Sequence, residues 1–340
     1  MSENKSGKQS ISFDKTVYIS FGATVAGKKE SEGPYGEDFD IVGKDDLFGM
    51  NSWEEAESKL QQMAIDKLFI KSELAKDDIR YIFAGDLLGQ LIATSFALEK
   101  YNIPVFGLYG ACSTMAESLS LAAMTVNAGY ADNVIAMASS HFASAEKQFR
   151  FPLEYGNQRP KASTWTVTGC GAYIVSTKIQ SSIVVKGITT GKIIDYGVKD
   201  SMNMGACMAP AAADLIENNF KDFNIDEKYY DLIVTGDLGY TGKTILFDLL
   251  KEKGIDIAHK YTDCGIEIYN PDSQGTQSGG SGCGCSATML EAFIIKKMKE
   301  KRYKRVLFVP TGALLSTVSY NEGKSVPGIA HGIMLERCDD

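Results

Sequence analysis

Cys112 is the residue of this chain best placed for nucleophilic chemistry. It follows an apolar segment, 105–108, and the turn Tyr109-Gly110-Ala111, and a segment with apolar residues at helical spacing comes next. At a helix N-terminus, unpaired N–H groups and the helix dipole stabilise a thiolate or a bound anion. The order strand, turn, cysteine, helix is also typical of an elbow that lifts a side chain into a crevice. We therefore expect Cys112 to lie in a functional crevice, with a buried, inert cysteine as the alternative.

Few other side chains could act as acid–base partners of this cysteine. The chain has three histidines, His141, His259 and His331. His141 closely follows the apolar segment 134–138, and the carboxyl ends of strands are where open α/β sheets place ligand contacts. A loop histidine bonded to nearby backbone is the alternative for His141, and His331 is expected to be packed. Asp237 could accept a proton, but its negative charge would oppose a developing oxyanion.

Two further motifs resemble known binding motifs but lack essential residues. Residues 237–244 resemble a phosphate-binding P-loop, but Asp237 stands where the first glycine should be, and its carboxylate would face the phosphates. The segment Cys283-Gly284-Cys285 lacks a second ligand pair at zinc spacing. The sequence therefore predicts neither a nucleotide site nor a metal site.

The composition indicates a folded, acidic protein. The chain has 340 residues, 44% of them hydrophobic, and a formal net charge of −8 at pH 7. It has no basic run, so we expect no nucleic-acid partner. Its seven cysteines are too sparse for a disulfide scaffold, which favours a reducing, cytoplasmic compartment. We also expect neither a signal peptide nor a membrane span, because no apolar segment is long enough.

Short apolar, β-branched segments alternate with longer segments of helical period. The predicted strands cover residues 17–25, 81–84, 105–108, 134–138, 172–176, 231–235 and 306–309, and the clearest predicted helices cover 53–70 and 88–99. This alternation is typical of parallel strands joined by crossover helices. We therefore expect the α/β class.

Two pairs of similar segments indicate an internal repeat. Residues 83–87 (FAGDL) and 234–238 (VTGDL) each end a predicted strand, and residues 112–117 (CSTMAE) and 285–291 (CSATMLE) each open a helix, in the same order. We therefore expect a duplicated protein. The predicted organisation is a polar N-terminal tail at residues 1–15 and two halves at residues 16–190 and 191–340.

The segment that begins at Gly110, with sequence GACSTMAESLSLA, resembles the nucleophile helix of thiolases and ketoacyl synthases, which are also duplicated. The resemblance implies a thiolase-like α/β fold, with duplicated βαβαβαββ halves in a layered α-β-α-β-α sandwich. In that superfamily a cysteine attacks a thioester, assisted by two histidines, or by a histidine and an asparagine, of the second half. The matching positions here, 236–239 and 278–285, contain no histidine. This departure argues against thioester condensation.

Longer segments across the chain resemble one branch, the stage V sporulation protein AD family of spore-forming Firmicutes. They include residues 32–36 (EGPYG), 84–88 (AGDLL), 109–114 (YGACST), 150–160 (RFPLEYGNQRP), 200–205 (DSMNMG) and 310–315 (PTGALL). The resemblance implies non-catalytic binding of dipicolinic acid, pyridine-2,6-dicarboxylate, for its uptake into the developing spore. It implies no cofactor and leaves calcium open as part of the ligand.

Carried onto this chain, the family's ligand site falls around one crevice. The implied ligand-binding residues are Asp86, Cys112, His141, Arg150, Asn203, Asp237, Ser281 and Thr311, with Met204 beside Asn203. Donors for a planar dianion would come from the helix that begins at Cys112, the backbone turn 279–285, and Arg150 or Arg159. A solvated position is the alternative for either arginine.

The resemblance also implies partners and a location. It implies the soluble subunit of a sporulation membrane channel that docks to membrane subunits, forms a homodimer, and is cytoplasmic and peripheral to the forespore or inner spore membrane. The alternative function is that of an acyltransferase or condensing enzyme. In that case a thioester acylates Cys112, and Asp237 or His141 replaces the missing base.

Overall fold

The structure is a computed structural model that describes residues 4–149 and 158–338. The strands in these ranges are β1 (Lys5–Ser6), β2 (Ser10–Ala26), β3 (Ile41–Val42), β4 (Ile82–Gly85), β5 (Val105–Gly107), β6 (Asn133–Ser140), β7 (Trp165–Thr166), β8 (Gly169–Ser176), β9 (Ile183–Thr189), β10 (Leu232–Thr235), β11 (Tyr261–Asp263), β12 (Gly280–Ser281), β13 (Arg305–Val309), β14 (Thr311–Ala313), β15 (Gly328–Ala330) and β16 (Gly332–Arg337). The expected α/β class is confirmed.

The helices lie between these strands along the chain. They are α1 (Lys28–Ser31), α2 (Trp53–Ser72), α3 (Ile92–Leu98), α4 (Thr114–Asn127), α5 (Phe142–Phe149), α6 (Met204–Phe223), α7 (Gly239–Lys251), α8 (Cys264–Glu267), α9 (Pro271–Gln274), α10 (Cys283–Met289), α11 (Lys296–Lys299) and α12 (Thr317–Asn321). A π-helical segment, Leu290–Ile295, joins α10 to α11. No helix in the described ranges combines the length and the apolar character needed to cross a bilayer.

The main sheet has the same strand order in its two arms. Its order is β11-β10-β13-β16-β9-β2-β8-β6-β4-β5, and β2 pairs antiparallel with β9 at the centre. Outward from this pair, one arm runs β2, β8, β6, β4, β5 and the other runs β9, β16, β13, β10, β11. The chain visits the equivalent strands of both arms in the same sequence. The repeat predicted from 83–87 and 234–238 is therefore present, since these segments contain the ends of the equivalent strands β4 and β10.

Helices separate the two arms and cover their outer faces. Helices α4 and α10 pack between the arms, in a core that contains Leu119 and Met289. Helices α2 and α3 cover the first arm, whose outward residues include Ile82, and α6 and α7 cover the second arm, whose outward residues include Ile233. Alternate residues of one strand face opposite sides, so each arm is buried on both faces. The layers follow the order α-β-α-β-α.

The structure differs from the predicted organisation near two boundaries. The segment 1–15 includes β1 and the start of β2, because Ser10 pairs with Thr189 of β9 and its hydroxyl donates to Asp222. Strand β9 belongs to the second arm by strand order, whereas the predicted boundary after residue 190 places it in the first half. No helix separates β8 from β9, so the sequence has no helical segment there to mark the change of arm.

Candidate functional site

The chain makes a tight elbow at Cys112, at the carboxyl end of β5. A 3-10 turn, Ala111–Ser113, runs directly into α4, so Cys112 lies at the N-terminus of a helical stretch, as the sequence predicts. Ala111 has a φ of 50°, in the left-handed region that costs an L-residue about 1–2 kcal/mol. Gly312 lies against the elbow, since a Cβ at this position would be 2.3 Å from the carbonyl oxygen of Gly110. The elbow is therefore held by close backbone packing.

A pocket of about 540 Å³ opens beside this elbow, with Cys112 in its wall. Its other lining residues combine apolar side chains and glycines with hydroxyl and amide groups: Leu87, Leu88, Gly89, Gln90, Leu91, Tyr109, Ala111, Gln148, Phe149, Thr164, Thr166, Met204, Ser281, Gly282, Ala313, Leu315, Ser316 and Thr317. None of the described residues that line the pocket carries a formal charge at neutral pH. Apolar walls with a few convergent polar groups are typical of small-molecule sites.

The Cys112 thiol is protonated at neutral pH. The residue is 5% exposed, and its Sγ lies 3.7 Å from Oγ of Ser281. Burial raises the pKa of the thiol to about 12, and the Asp237 carboxyl adds to this rise, while hydrogen bonds with Ser281 and the Gly282 backbone oppose it. Burial therefore opposes the thiolate at this position, although the residue lies at a helix N-terminus.

Asp237 and Thr311 form a second polar group close to the thiol, behind the pocket wall. Both are fully buried, and Oδ2 of Asp237 accepts the Thr311 N–H at 3.4 Å. Oδ1 of Asp237 and Oγ1 of Thr311 have no hydrogen-bond partner within the described residues. Burial raises the pKa of Asp237 well above its ordinary value, and the Asp263 carboxyl adds to the rise. A buried carboxyl and a hydroxyl thus retain unused hydrogen-bonding capacity near Cys112.

Asp86, the repeat equivalent of Asp237, has a different role. Its carboxylate accepts the N–H of Leu88 at 2.7 Å, the N–H of Thr94 at 2.8 Å and the Thr94 hydroxyl at 2.6 Å. It does not line the pocket, but it fixes the loop 87–91, which does. Burial raises the pKa of Asp86 while these hydrogen bonds lower it. Asp86 therefore positions the loop 87–91 without lining the pocket itself.

In the second arm, Asp263 at the end of β11 takes over this role. It accepts the N–H groups of Leu238 and Gly239 at 2.9 and 3.0 Å and the Thr235 hydroxyl at 2.6 Å. Burial raises the pKa of Asp263 to about 6. Because Asp263 satisfies the start of α7, Asp237 is not needed there. Asp86 and Asp237, which look equivalent in the sequence, thus differ in how many hydrogen bonds they accept.

His141 is buried beside α5 and does not line the pocket. Its Nδ1 accepts the N–H of Ala143 at 3.2 Å, and its Nε2 lies 2.7 Å from the carbonyl oxygen of Asp46. This pattern requires the proton on Nε2. Burial lowers the pKa of His141, which favours the neutral ring. The role found is the alternative one, a loop histidine bonded to nearby backbone.

The remaining predicted residues fall in three places. Arg150 lies outside the described residues. Arg159 is neither solvated nor in the pocket wall, because it pairs with the buried Glu146. Asn203 caps α6, where its Oδ1 accepts the N–H of Ala206 at 3.2 Å, and the next residue, Met204, lines the pocket.

The structure therefore brings together part of the predicted site. Cys112, Ser281 and Met204 line the pocket, and Asp237 and Thr311 lie close by. The sequence did not identify the pocket residues Gln90, Gln148, Thr164, Thr166, Ser316 and Thr317. Their residue types are common in loops, and no spacing signal marks them. In the described part of the chain, no group of three or more His, Cys, Asp or Glu side chains is arranged to hold a metal ion.

The fold and the site together define a class of protein: a duplicated, layered α/β protein with a ligand-sized pocket at a cysteine elbow. The family model of stage V sporulation protein AD (SpoVAD) matches residues 7–336. Stage V sporulation protein AD of Bacillus subtilis (strain 168) is 43% identical over 331 residues, which cover 97% of each chain. The chain belongs to the stage V sporulation protein AD family, as the sequence resemblance predicted, and is a protein of spore formation.

Proposed function

We propose that this chain binds dipicolinic acid at the Cys112 pocket without forming a covalent bond. The observation that carries the proposal is a protonated, buried thiol in the wall of a hydroxyl-lined pocket. A thiol is a poor nucleophile compared with a thiolate, so the arrangement disfavours acyl transfer. Family membership supports the link to spore formation.

The pocket wall offers apolar surface and hydroxyl donors that suit a planar aromatic dicarboxylate. Leu88, Tyr109 and Phe149 provide apolar surface for the ring, and the hydroxyls of Thr166 and Ser281 can donate to carboxylate oxygens. Burying a dianion among uncharged groups costs free energy. The calcium chelate of dipicolinate is formally neutral, because the charges of the metal and the two carboxylates cancel. We therefore propose that calcium enters as part of the ligand.

Calorimetric titration of the protein with dipicolinate tests this proposal. We expect saturable heat, with tighter binding when calcium is present. Benzene-1,3-dicarboxylate is the matched control, because it keeps both carboxylates but lacks the ring nitrogen that completes the chelate. We expect it to bind more weakly and with little response to calcium. Absence of saturable heat with dipicolinate, with and without calcium, would refute the proposal.

Substitutions at the pocket locate the binding. Ser281→Ala and Thr166→Val each remove one donor from the wall, and we expect each to weaken binding by about tenfold, as for one lost hydrogen bond of roughly 1.4 kcal/mol. Ser273→Ala is the control, because Ser273 is exposed and lies outside the pocket. Unchanged affinity in both pocket variants would place the ligand elsewhere.

We propose further that the protein delivers its ligand as the soluble subunit of the sporulation membrane channel. In this proposal it docks to the membrane subunits from the cytoplasmic side, peripheral to the forespore or inner spore membrane. Family membership is the support. Co-purification of these subunits with the tagged protein from sporulating cells tests it, and their absence from the complex would contradict it.

We also propose a homodimer that forms through β5. This strand ends the sheet order, so one side of its backbone has no strand partner within the described residues. Its side chains Val105 and Phe106 are 43% and 51% exposed, and Tyr109 beyond it is also exposed. Unpaired apolar edges invite strand addition, and two copies of β5 in antiparallel pairing would make a closed, symmetric interface.

A further inference from the structure

A buried ion pair next to the pocket has no direct part in the proposed ligand contacts. Arg159 and Glu146 form it, and their side chains are 6% and 1% exposed. Removing two charges from water costs much of what their attraction returns, so a buried pair is weak support for stability. The main effect of the pair is therefore on the positions of the residues that it contacts.

Each partner of the pair also holds the backbone of a pocket residue. Nη1 of Arg159 donates to the carbonyl oxygen of Thr164 at 3.0 Å, and Oε1 of Glu146 accepts the N–H of Thr166 at 3.1 Å. Thr164 and Thr166 both line the pocket. The pair thus fixes the backbone on both sides of Trp165.

Aromatic packing fixes Trp165, the residue between Thr164 and Thr166. The ring of Trp165 stacks on Phe142 with centroids 4.1 Å apart and an interplanar angle of 14°. The Arg159 guanidinium lies 4.4 Å from the Trp165 ring centroid, and Nζ of Lys29 lies 4.2 Å from it. Cations at these distances from an indole are attracted to its π-system. The guanidinium therefore contacts both the backbone and the side chain of this segment.

The segment 164–166 is linked to Cys112 through a short strand pair. Strand β7 pairs in parallel with β12: the Trp165 N–H donates to the Gly279 carbonyl oxygen, and the Val167 N–H donates to the Ser281 carbonyl oxygen, both at 2.8 Å. Ser281 is the residue whose Oγ lies 3.7 Å from Sγ of Cys112. A continuous series of contacts therefore runs from the ion pair to the thiol.

We propose that Arg159 and Glu146 are positioning residues that set the pocket wall at Thr164, Thr166 and Ser281 and so keep solvent from the Cys112 thiol. The inference deepens the proposed function, because it concerns the same pocket. Its main readout, the accessibility of the thiol, does not require the ligand.

Alkylation of Cys112 by iodoacetamide, followed by mass spectrometry of the peptide, measures this accessibility. A Cys338→Ser background removes the exposed thiol. Arg159→Lys keeps the positive charge but cannot bridge Glu146 and the Thr164 carbonyl oxygen as a planar fork does. We expect Cys112 to be alkylated about tenfold faster in this variant, the factor for one lost charge-assisted hydrogen bond.

Two further variants separate positioning from general stability. Glu146→Gln retains the size of the side chain and weakens the hold on Thr166, so we expect faster alkylation of Cys112 here as well. Lys71→Met is the control, because it removes the ion pair with Asp40, which lies outside the pocket. We expect this control to lower thermal stability without changing the alkylation rate.

The outcomes discriminate clearly. Folded Arg159→Lys and Glu146→Gln proteins with wild-type alkylation rates would overturn the inference, as would an equal acceleration in Lys71→Met. Calorimetric titration of the same proteins with dipicolinate then separates the two proposals. Suppose that the wild-type protein does not bind dipicolinate while Arg159→Lys and Glu146→Gln still expose Cys112. The binding proposal then fails and the positioning role stands.

Discussion

Cys112 lies where a nucleophile would lie, but its thiol is buried and protonated at neutral pH. The strand, turn and helix around it were predictable because they are local, and glycine and apolar spacing mark them in the sequence. The protonation state was not predictable, because the burial that raises the thiol pKa to about 12 comes from segments far away in the chain. Ser281 and Asp237, which also affect this pKa, belong to the second arm. Local sequence therefore gives the place of the residue but not its reactivity.

The pH dependence of Cys112 alkylation tests this description. We expect the rate in the Cys338→Ser background to rise about tenfold per pH unit from pH 7 to about pH 10, because the reactive thiolate increases in that proportion below the pKa. Stopped or time-resolved alkylation with peptide mass spectrometry measures it. A rate that levels off below pH 9 would show an activated thiolate instead.

Exposure to a thioester tests the enzyme alternative at the same residue. We expect no adduct of about 42 Da on the intact protein after incubation with acetyl-coenzyme A, because the protonated thiol has no activating base in the described pocket wall. A Cys112→Ala variant provides the baseline for non-specific acetylation. An adduct that is present in the wild-type protein and lost in Cys112→Ala would favour acyl transfer.

At the scale of elements, the two arms share a topology but differ in which carboxylate holds the start of a helix. The repeated FAGDL and VTGDL segments predicted the equivalence of β4 and β10 correctly. They did not predict that Asp86 accepts three hydrogen bonds while Asp263, and not Asp237, holds the start of α7. Asp263 is remote from residues 234–238 in sequence, and only the parallel pairing of β10 with β11 brings it there.

Matched substitutions at the two aspartates test this difference. In Asp86→Asn one accepting oxygen becomes an NH2 group, so either the Leu88 bond or the two Thr94 bonds are lost, and we expect the free energy of unfolding at pH 7 to fall by about 2–3 kcal/mol. Asp237 accepts one long hydrogen bond, from the Thr311 N–H at 3.4 Å, and we expect Asp237→Asn to change that free energy by less than about 1 kcal/mol. Urea unfolding measures both. Equal losses in the two variants would contradict the division of roles.

The pocket wall shows why sequence reasoning missed most of the lining residues. Thr164 and Thr166 face the pocket because β7 pairs with β12, which is more than one hundred residues away in the chain. Strands β9 and β16 were also missed, because they pair antiparallel at the centre of the sheet without crossover helices to reveal them. Long-range pairing thus decides features that residue type and spacing leave open.

At the scale of the whole molecule, several carboxyl groups are buried within the fold, with consequences for stability. Burial raises the pKa of Glu30 to about 7, of Glu57 to about 8 and of Asp263 to about 6. The pKa of each of these carboxyl groups is higher in the folded than in the unfolded state, so its protonation stabilises the folded state. This contribution to the free energy of unfolding is complete below about pH 4 and is lost as the pH rises through the folded-state pKa. The loss approaches about 1.4 kcal/mol per pH unit and group.

We therefore expect thermal stability to decrease between pH 5 and pH 9. Differential scanning calorimetry across this range measures the effect. Glu57→Gln removes one of the titrating groups while keeping its size, so we expect a smaller decrease above pH 6 in this variant. A melting temperature that rises from pH 5 to pH 9 in the wild-type protein would contradict the assignment.

The proposed homodimer is tested at its exposed edge. We expect Phe106→Lys to convert a dimer into a monomer in light scattering coupled to gel filtration, because the new charge would be buried against its symmetric copy. Ile70→Lys is the matched control, since Ile70 is also exposed but lies on α2. A wild-type monomer, or an unchanged mass in Phe106→Lys, would refute an interface at β5.

The most direct test of the whole account is protection of Cys112 by the ligand. Wild-type protein is alkylated with and without saturating calcium dipicolinate, and the Cys112 and Cys338 peptides are followed separately. We predict that the ligand slows the reaction of Cys112, which lines the pocket, and leaves that of the exposed Cys338 unchanged. Saturable binding of the ligand with an unaltered rate at Cys112 would contradict the account.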